Sequence, residues 1–207
     1  MWEFEHNAKT RGYKIVAGVD EAGRGPLAGP VVSAAVILPQ GFECIGINDS
    51  KKLSEKQRNA FFPIIQRQAI AISTGVASHE EIDRMNILQA SLLSMKRAVE
   101  NLSIPPLFLV PDFLLIDGKF TIDMDIDQAA VIKGDSRSIS IAAASIVAKV
   151  TRDAMMEVLH ERYPLYNFIQ HKGYPTRAHK ESILKHGPCP VHRMTFKGVK
   201  DVIHVRR

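Results

Sequence analysis

The segment GVDEAGRGPLAGPV, residues 18–31, sets two carboxylates side by side and then an arginine between two glycines. Asp20 and Glu21 come at the end of YKIVAGVDE, which is an apolar run of strand length before its two acids. Neighbouring side chains in a strand point to opposite faces, so both acids can serve one site only where the backbone leaves the sheet. The glycines that follow permit such an exit. We therefore predict a site at the end of this strand.

Two further acids occupy similar positions. Asp117, in LLIDG, follows apolar strand residues and precedes a glycine, and Asp135, in IKGDS, lies at a predicted strand-to-helix junction. The ends of adjacent strands converge, and clustered carboxylate oxygens suit a hard cation such as Mg²⁺ or Mn²⁺. Each Asp-Gly pair is by itself also typical of an ordinary turn. The pattern as a whole predicts a divalent-metal site.

The most acidic local sequence, DMDIDQ, also resembles the start of a calcium-binding loop. Its aspartates match the first three ligand positions, but Gln128 stands where glycine is required, and Gly134 stands where a bidentate glutamate is required. We interpret it as a solvated turn or strand face.

Two other groups of residues leave alternatives open. His186, Cys189 and His192 could hold zinc, although a single cysteine without a CxxC partner argues against it. In NDSKKLS, Lys51 is a candidate substrate-binding residue, and a solvated loop is the alternative for this segment.

Positive charge is concentrated near the end of the chain. The 207 residues contain 27 Lys and Arg against 22 Asp and Glu, a net charge of +5. Nine of the basic and two of the acidic residues lie from His171 onward. A basic region of this kind can hold a polyanion such as nucleic acid. With no apolar run of signal-peptide or membrane-spanning length, and with only Cys44 and Cys189 as cysteines, we expect a soluble cytoplasmic protein without a disulfide.

The order of predicted elements indicates a mixed α/β fold in one domain, residues 1–207, with a basic helical C-terminal region from about 171 to 207. We predict about five strands, the first two antiparallel, in YKIVAGVD, VVSAAVILP, AIAISTGVAS, DFLLID and AAVIK. The spacing of a capping box predicts that one helix begins at Ser54 and another at Ser78. The second helix is predicted to continue to Leu102, with these residues on one face: Ile82, Met85, Leu88, Leu92, Met95, Val99 and Leu102.

Two more helices are predicted in the second half of the chain. A long one spans SIAAASIVAKVTRDAMMEVLHERY, with these residues inward: Ile139, Ala143, Ile146, Val150, Ala154 and Val158. A short one runs from about Thr176 to Lys185, with Gly187 as its C-cap.

Taken together, the motifs resemble those of bacterial ribonuclease HII from about Tyr13 to Phe196. The matching segments are GVDEAGRGPLAGPVV, NDSKKLS, EIDRMNILQAS, LIDG, KGDSRSISIAAASIVAKVTRD, HKGYPT and HGPCPVHRMTF. The resemblance implies a ribonuclease H-like fold with a mixed sheet flanked by helices. It also implies hydrolysis of RNA in RNA–DNA hybrids and at single ribonucleotides embedded in duplex DNA.

The resemblance also assigns residues. The metal-binding carboxylates are Asp20, Glu21, Asp117 and Asp135; the substrate-reading residues are Gly23, Arg24, Gly25 and Tyr174. We expect Asp20 and Asp117 to bridge two Mg²⁺ or Mn²⁺ ions, and the products to carry a 5′-phosphate and a 3′-hydroxyl. We expect a monomer, and the chain shows no sliding-clamp-binding tail. The alternatives are a two-metal nuclease of the same fold that cuts DNA, and a non-catalytic nucleic-acid-binding module.

Overall fold

A computed structural model describes residues 1–42, 46–47, 53–103 and 108–205, with only the backbone for 203–205. Within these residues, five strands form one mixed sheet in the order β3-β2-β1-β4-β5. The strands are β1 (Val16–Ala22), β2 (Val31–Ile37), β3 (Ala71–Ala77), β4 (Phe113–Asp117) and β5 (Asp127–Val131). β2 is antiparallel to β1 and β3, whereas β1, β4 and β5 are mutually parallel. The predicted mixed five-stranded sheet and its antiparallel first pair are confirmed.

Helices cover both faces of this sheet. They are α1 (Glu3–Thr10), α2 (Glu55–Gln68), α3 (His79–Met85), α4 (Ile87–Leu102), α5 (Ile139–Arg162), α6 (Phe168–His171), α7 (Arg177–His186) and α8 (Lys200–Val205). Alternate residues of β2 point to opposite sides: Ala34 and Val36 join a core with α2 and α5, and Ala35 and Ile37 join one with α4. None of the helices in the described part of the chain is long and apolar enough to cross a membrane.

The helix starts at Ser54 and Ser78 are confirmed as complete capping boxes. The helix predicted to run from Ser78 to Leu102 is, however, two helices. Asn86 has a φ of 74°, which is outside the helical range, and its side chain accepts the backbone N–H groups of Leu88 and Gln89 to cap α4. Asn86, whose side chain caps helices well, therefore interrupts the helix although the apolar stripe continues across it in the sequence.

The inward face of α5 was predicted correctly only in its first half. Ile139, Ala143 and Ile146 are buried, whereas Ala154 is exposed and Val158 is 64% exposed. Steps of four residues advance a helix by about 40° beyond a full turn, so a series of such steps rotates away from the core. Arg152, Asp153 and Met156 face inward instead.

Other boundaries differ by small amounts. The predicted strand AAVIK ends two residues early, because Lys133 takes a left-handed conformation with a φ of 56°. The DMDIDQ segment is a bend that leads into β5, which confirms the interpretation as a turn and strand face. The C-cap at Gly187 is confirmed, with a φ of 79°. Helices α1, α6 and α8 were not predicted.

A glycine lets α5 approach β1 beside the acidic pair. A Cβ atom added at Gly18 would lie 2.2 Å from the backbone carbon of Ser140, so only glycine fits there. This approach sets the start of α5 against β1 two residues before Asp20. A side chain at this position would push the helix away and move every α5 residue that faces the end of β1.

Candidate functional site

A cleft of about 480 Å³ opens where the parallel strands β1 and β4 end. Its lining consists of Asp20, Glu21, Ala22, Gly23, Arg24, Gly25, Arg58, Asp117, Ser145, Lys149 and Tyr174. We call it the acidic cleft. The structure thus brings together three of the four candidate carboxylates and the candidate tyrosine. It also places with them Gly23, Arg24 and Gly25, which we call the GRG sequence. Lys51 lies outside the described residues.

The cleft exists because β1 extends beyond the end of its pairing with β4. Pairing between β1 and β4 stops at Val19 and Ile116, whereas pairing between β1 and β2 continues to Ala22. Asp20 and Glu21 therefore lie within the last three residues of β1, where one side of the strand has no partner strand. The expectation that they flank the exit from the sheet agrees with this geometry.

Asp20 is the most deeply buried member of the acidic cleft, with 2% of its surface exposed. Its Oδ1 atom accepts the Glu21 backbone N–H at 2.7 Å, whereas Oδ2 is buried and accepts no hydrogen bond from the described residues. Burial, and then the carboxylates of Glu21 and Asp117, raise the pKa of Asp20 well above its ordinary value. A cation beside this group would offset both the loss of hydration on burial and the repulsion from the Glu21 and Asp117 carboxylates.

The other acids are held individually. Glu21 pairs with Arg24 at 3.2 Å, and Asp117 Oδ1 accepts the Gly134 backbone N–H at 2.7 Å. Asp135 is the next residue, buried in the 3-10 turn Gly134–Ser136, and it is not part of the cleft lining. Among the described residues, no three carboxylate, imidazole or thiol side chains already form a metal-binding group. The acids are therefore neighbours that would have to adjust to share an ion.

Three polar residues of the cleft were missed by the sequence analysis. Arg58 comes from α2, and Ser145 and Lys149 come from α5. The available signal was the spacing of four between Ser145 and Lys149, which puts them on one face of the helix. Burial lowers the pKa of Lys149, and its Nζ also contacts Asp153. These groups add positive charge and a hydroxyl donor to an otherwise acidic site.

Tyr174 faces the GRG sequence across the cleft. Its side chain is 41% exposed, and a Cβ atom built on Gly25 would lie 3.6 Å from its ring. Lys149 Nζ lies 5.9 Å from the ring centroid. The backbone on this side is joined to the opposite wall, because Leu27 donates its N–H to the Gly173 carbonyl at 2.8 Å. The ring is thus held beside the cleft with an open face.

A chain of buried hydrogen bonds supports Tyr174 from behind. His179 Nδ1 lies 2.9 Å from the Tyr174 carbonyl, and its Nε2 lies 3.1 Å from His192 Nε2. His192 Nδ1 accepts the Cys189 N–H at 3.0 Å. One set of neutral tautomers satisfies every step: His192 Nε2–H donates to His179, and His179 Nδ1–H donates to the carbonyl. We call His179, His192 and Cys189 the histidine relay.

The relay corrects the zinc alternative. His186 is exposed and takes no part, whereas Cys189 bonds His192 and His192 in turn bonds His179. The described residues contain no group arranged to hold a metal here. Burial is the main cause that lowers the pKa of both His179 and His192 to about 4, and it raises the pKa of Cys189 to about 11. The cluster is neutral at physiological pH and has a structural role.

The relay predicts an acid-sensitive fold. Below a pH of about 6.5 the unfolded chain protonates His179 and His192, whereas the folded chain resists protonation until about pH 4. Their contribution to stability is therefore complete above pH 6.5 and is lost as the pH falls toward 4. We expect Tm to fall by at least about 5 °C between pH 7.5 and 5.0. His192→Asn should make this dependence shallower, and His6→Gln, at an exposed histidine, should leave it unchanged. Equal slopes in all three proteins would contradict the prediction.

The sheet order and the helices on both faces define the ribonuclease H-like fold. The structure resembles the crystal structure of ribonuclease H2 from Pyrococcus horikoshii, with a TM-score of 0.74 and 26% identity, covering 93% of this chain and 98% of that one. The fold is also that of Bst-RNase HIII in complex with Mn²⁺, with a TM-score of 0.73 and 20% identity, covering 97% of this chain and 73% of that one.

Sequence comparison narrows this class to one family. Residues 17–199 match the model of the family described as Ribonuclease HII. The chain is 55% identical to a Ribonuclease HII of Geobacter metallireducens over 201 residues, which cover 97% of this chain and 92% of that protein. The chain therefore belongs to the ribonuclease HII family and is a type 2 ribonuclease H, a phosphodiester hydrolase.

Proposed function

We propose that this ribonuclease H cuts the RNA strand of RNA–DNA hybrids and also cuts on the 5′ side of single ribonucleotides embedded in duplex DNA. The products would carry a 5′-phosphate and a 3′-hydroxyl. The observation that carries the proposal is the acidic cleft, in which a cluster of carboxylates adjoins an open backbone segment and an exposed aromatic ring. The carboxylates suit phosphodiester hydrolysis, and the backbone segment and the aromatic ring suit recognition of a sugar.

We propose that the carboxylates hold divalent cations, either Mn²⁺ or Mg²⁺. The buried Oδ2 of Asp20 and the repulsion that raises its pKa fit a cation beside it. Asp20 and Asp117 would be shared between two ions, and Glu21 and Asp135 would each complete one. Two such ions, when bound, supply an activated water and stabilise charge on the leaving oxygen. Coordination by Glu21 competes with its ion pair to Arg24 and would release that guanidinium for a phosphate.

The GRG sequence is proposed to recognise the ribonucleotide. The described residues provide no hydrogen-bond acceptor for the N–H groups of Gly23, Arg24 and Gly25. These residues line the cleft, so their N–H groups can donate to the 2′-hydroxyl oxygen, the group that distinguishes RNA from DNA. Arg58 and Lys149 would hold adjoining phosphates, and the basic C-terminal region would extend that contact along the duplex.

Membership of an enzyme family removes the alternative of a non-catalytic module. The alternative of a DNA-cutting nuclease is tested by incubating the protein with three duplexes: DNA with one ribonucleotide, all-DNA of the same sequence, and an RNA–DNA hybrid. Each is incubated with Mg²⁺, with Mn²⁺ and with a chelator. We expect cleavage of the first and third only, with either metal and not with the chelator. Cleavage of the all-DNA duplex at a comparable rate would refute the proposed selectivity.

A second test separates recognition from chemistry at Tyr174. If its ring stacks on the sugar beyond the ribonucleotide, Tyr174→Ala should reduce cleavage at a single ribonucleotide by about tenfold or more, because stacking contributes about 1–3 kcal/mol. Cleavage within a continuous RNA tract should fall less. Tyr174→Phe retains the ring face and should have the milder effect. The measurement is kcat/KM on both substrates, with thermal unfolding as a control. Equal losses on the two substrates would assign Tyr174 a structural role.

A further inference from the structure

Two arginines are buried behind the GRG sequence and bond main-chain oxygens. Arg193 follows α7 in sequence and is fully buried. Its Nη2 donates to Gly23 O at 2.6 Å, its Nη1 to Arg24 O at 3.0 Å and its Nε to Gly29 O at 3.0 Å. One planar guanidinium thus joins both ends of the segment 23–30, which we call the junction loop.

Arg152, on α5, holds the same loop from a second direction and is also fully buried. Its Nε donates to Pro30 O at 2.9 Å and its Nη2 to Ala28 O at 3.2 Å. Its Nη1 donates to Lys172 O at 3.0 Å, two residues before Tyr174. A Cβ atom added at Gly23 would lie 2.1 Å from Arg152 Nε, so the guanidinium packs directly against the loop.

Burying these two charged guanidinium groups costs free energy, because each loses its hydration. Within the described residues, neither guanidinium forms an ion pair, and two buried cations lie close enough to repel each other. Burial lowers the pKa of Arg152 to about 10 and that of Arg193 to about 9, although Asp153 and Asp83 respectively oppose this. Both remain charged at neutral pH. Buried charges of this kind are tolerated only when hydrogen bonds replace the lost water.

The hydrogen bonds also fix which way the junction loop faces. The carbonyls of Gly23 and Arg24 are directed to Arg193, away from the solvent. The N–H groups of Gly23, Arg24 and Gly25 have no acceptor in the described part of the chain, and all three residues line the acidic cleft. Because the arginine bonds the carbonyls, the N–H groups on the cleft side can donate to a ligand.

On the basis of the proposed function, we propose that Arg193 and Arg152 are positioning residues for ribonucleotide selection. They hold the carbonyls of the junction loop so that its N–H groups are presented to the 2′-hydroxyl oxygen. They touch neither the substrate nor the carboxylates. Their loss should therefore weaken the preference for a ribonucleotide more than it weakens hydrolysis of bound substrate or general affinity for duplex DNA.

The test is Arg193→Lys. Lysine keeps the positive charge, but its compact ammonium group cannot reproduce the planar fork that reaches Gly23, Arg24 and Gly29 together. Steady-state cleavage of a duplex with one ribonucleotide gives KM and kcat, and inhibition by the all-DNA duplex of the same sequence gives Ki. The ratio of Ki to KM measures selection of the ribonucleotide. We expect this ratio to fall by about tenfold or more, chiefly through KM, with Ki nearly unchanged and kcat less affected.

The matched control is Arg97→Lys. Arg97, on α4, likewise spans several acceptors, bonding Val76 O and both carboxylate oxygens of Glu81, but it is not part of the cleft lining. It should lower Tm and leave the ratio of Ki to KM unchanged. Arg152→Lys, which leaves the bonds of Arg193 in place, should lower the ratio by a smaller factor.

The outcomes are distinct. A wild-type protein that fails to cut the ribonucleotide-containing duplex would refute the proposed function before any variant is made. An active wild type with an unchanged ratio in folded Arg193→Lys would overturn the positioning inference alone. If both Arg193→Lys and Arg152→Lys lose their fold by circular dichroism, the pair serves stability and the inference is also overturned.

Discussion

Asp117→Asn is expected to lower kcat by at least about 10³-fold while leaving affinity for an RNA–DNA hybrid nearly unchanged. A metal ion contributes several kcal/mol to transition-state stabilisation, and each 1.36 kcal/mol is a factor of ten in rate. The substitution removes the charge that would hold the ion but retains the shape of the side chain. An asparagine oxygen can still accept the Gly134 N–H that Asp117 accepts at 2.7 Å, so the fold should persist.

The measurement is single-turnover cleavage with Mg²⁺, accompanied by hybrid binding and thermal unfolding. Asp123→Asn is the matched control, because Asp123 is a fully exposed acid that pairs with Lys96 at 3.4 Å, outside the cleft. This control should cleave at the wild-type rate. A rate for Asp117→Asn within tenfold of wild type would show that Asp117 is not a metal ligand.

Asp20→Asn should abolish hydrolysis and, in the absence of metal, make the protein more stable. The folded-state pKa of Asp20 is raised above its unfolded value, so ionisation of this group costs stability as the pH rises through that interval. Asparagine removes the buried charge and its repulsion with Glu21 and Asp117. Its oxygen can keep the bond from the Glu21 N–H, and its amide group carries no charge at the buried position of Oδ2.

We expect the metal-free Tm to rise by about 3–6 °C at pH 8, which corresponds to about 1–2 kcal/mol in a chain of this size. Added Mg²⁺ should raise the Tm of the wild type more than that of the variant, because ligands stabilise the state that binds them. The gain should shrink at low pH, where the wild-type carboxyl is protonated. A metal-free variant that is less stable than wild type at pH 8 would contradict this account of the acidic cleft.

Local sequence signals were most reliable where a single residue type decides the backbone. The capping boxes at Ser54 and Ser78 and the C-cap at Gly187 formed as predicted, because each depends on bonds within one turn. The strand assignments were also mostly correct, since apolar runs between turn residues leave few alternatives. The same local logic failed at Asn86, where a left-handed residue divides an apolar stripe that is continuous in sequence.

The candidate acids and glycines of the site could be identified from the sequence, because carboxylates at the ends of apolar strands are visible without a structure. The sequence also carries the family resemblance. How these residues face one another depends on the packing of the strands. Pairing of β1 with β4 stops at Val19, which opens the cleft, and Asp135 is buried outside the cleft lining.

The support behind the cleft was likewise decided by the tertiary structure. Arg152 lies more than 120 residues from the carbonyls of Ala28 and Pro30 that it bonds, and Arg193 lies more than 160 from those of Gly23 and Gly29. No periodicity links positions so far apart. From sequence alone an arginine is assigned to the surface, since charged side chains are mostly exposed, and a histidine gives no clear signal of burial. Only folding reveals that these residues are buried and that their donors meet the backbone of the site.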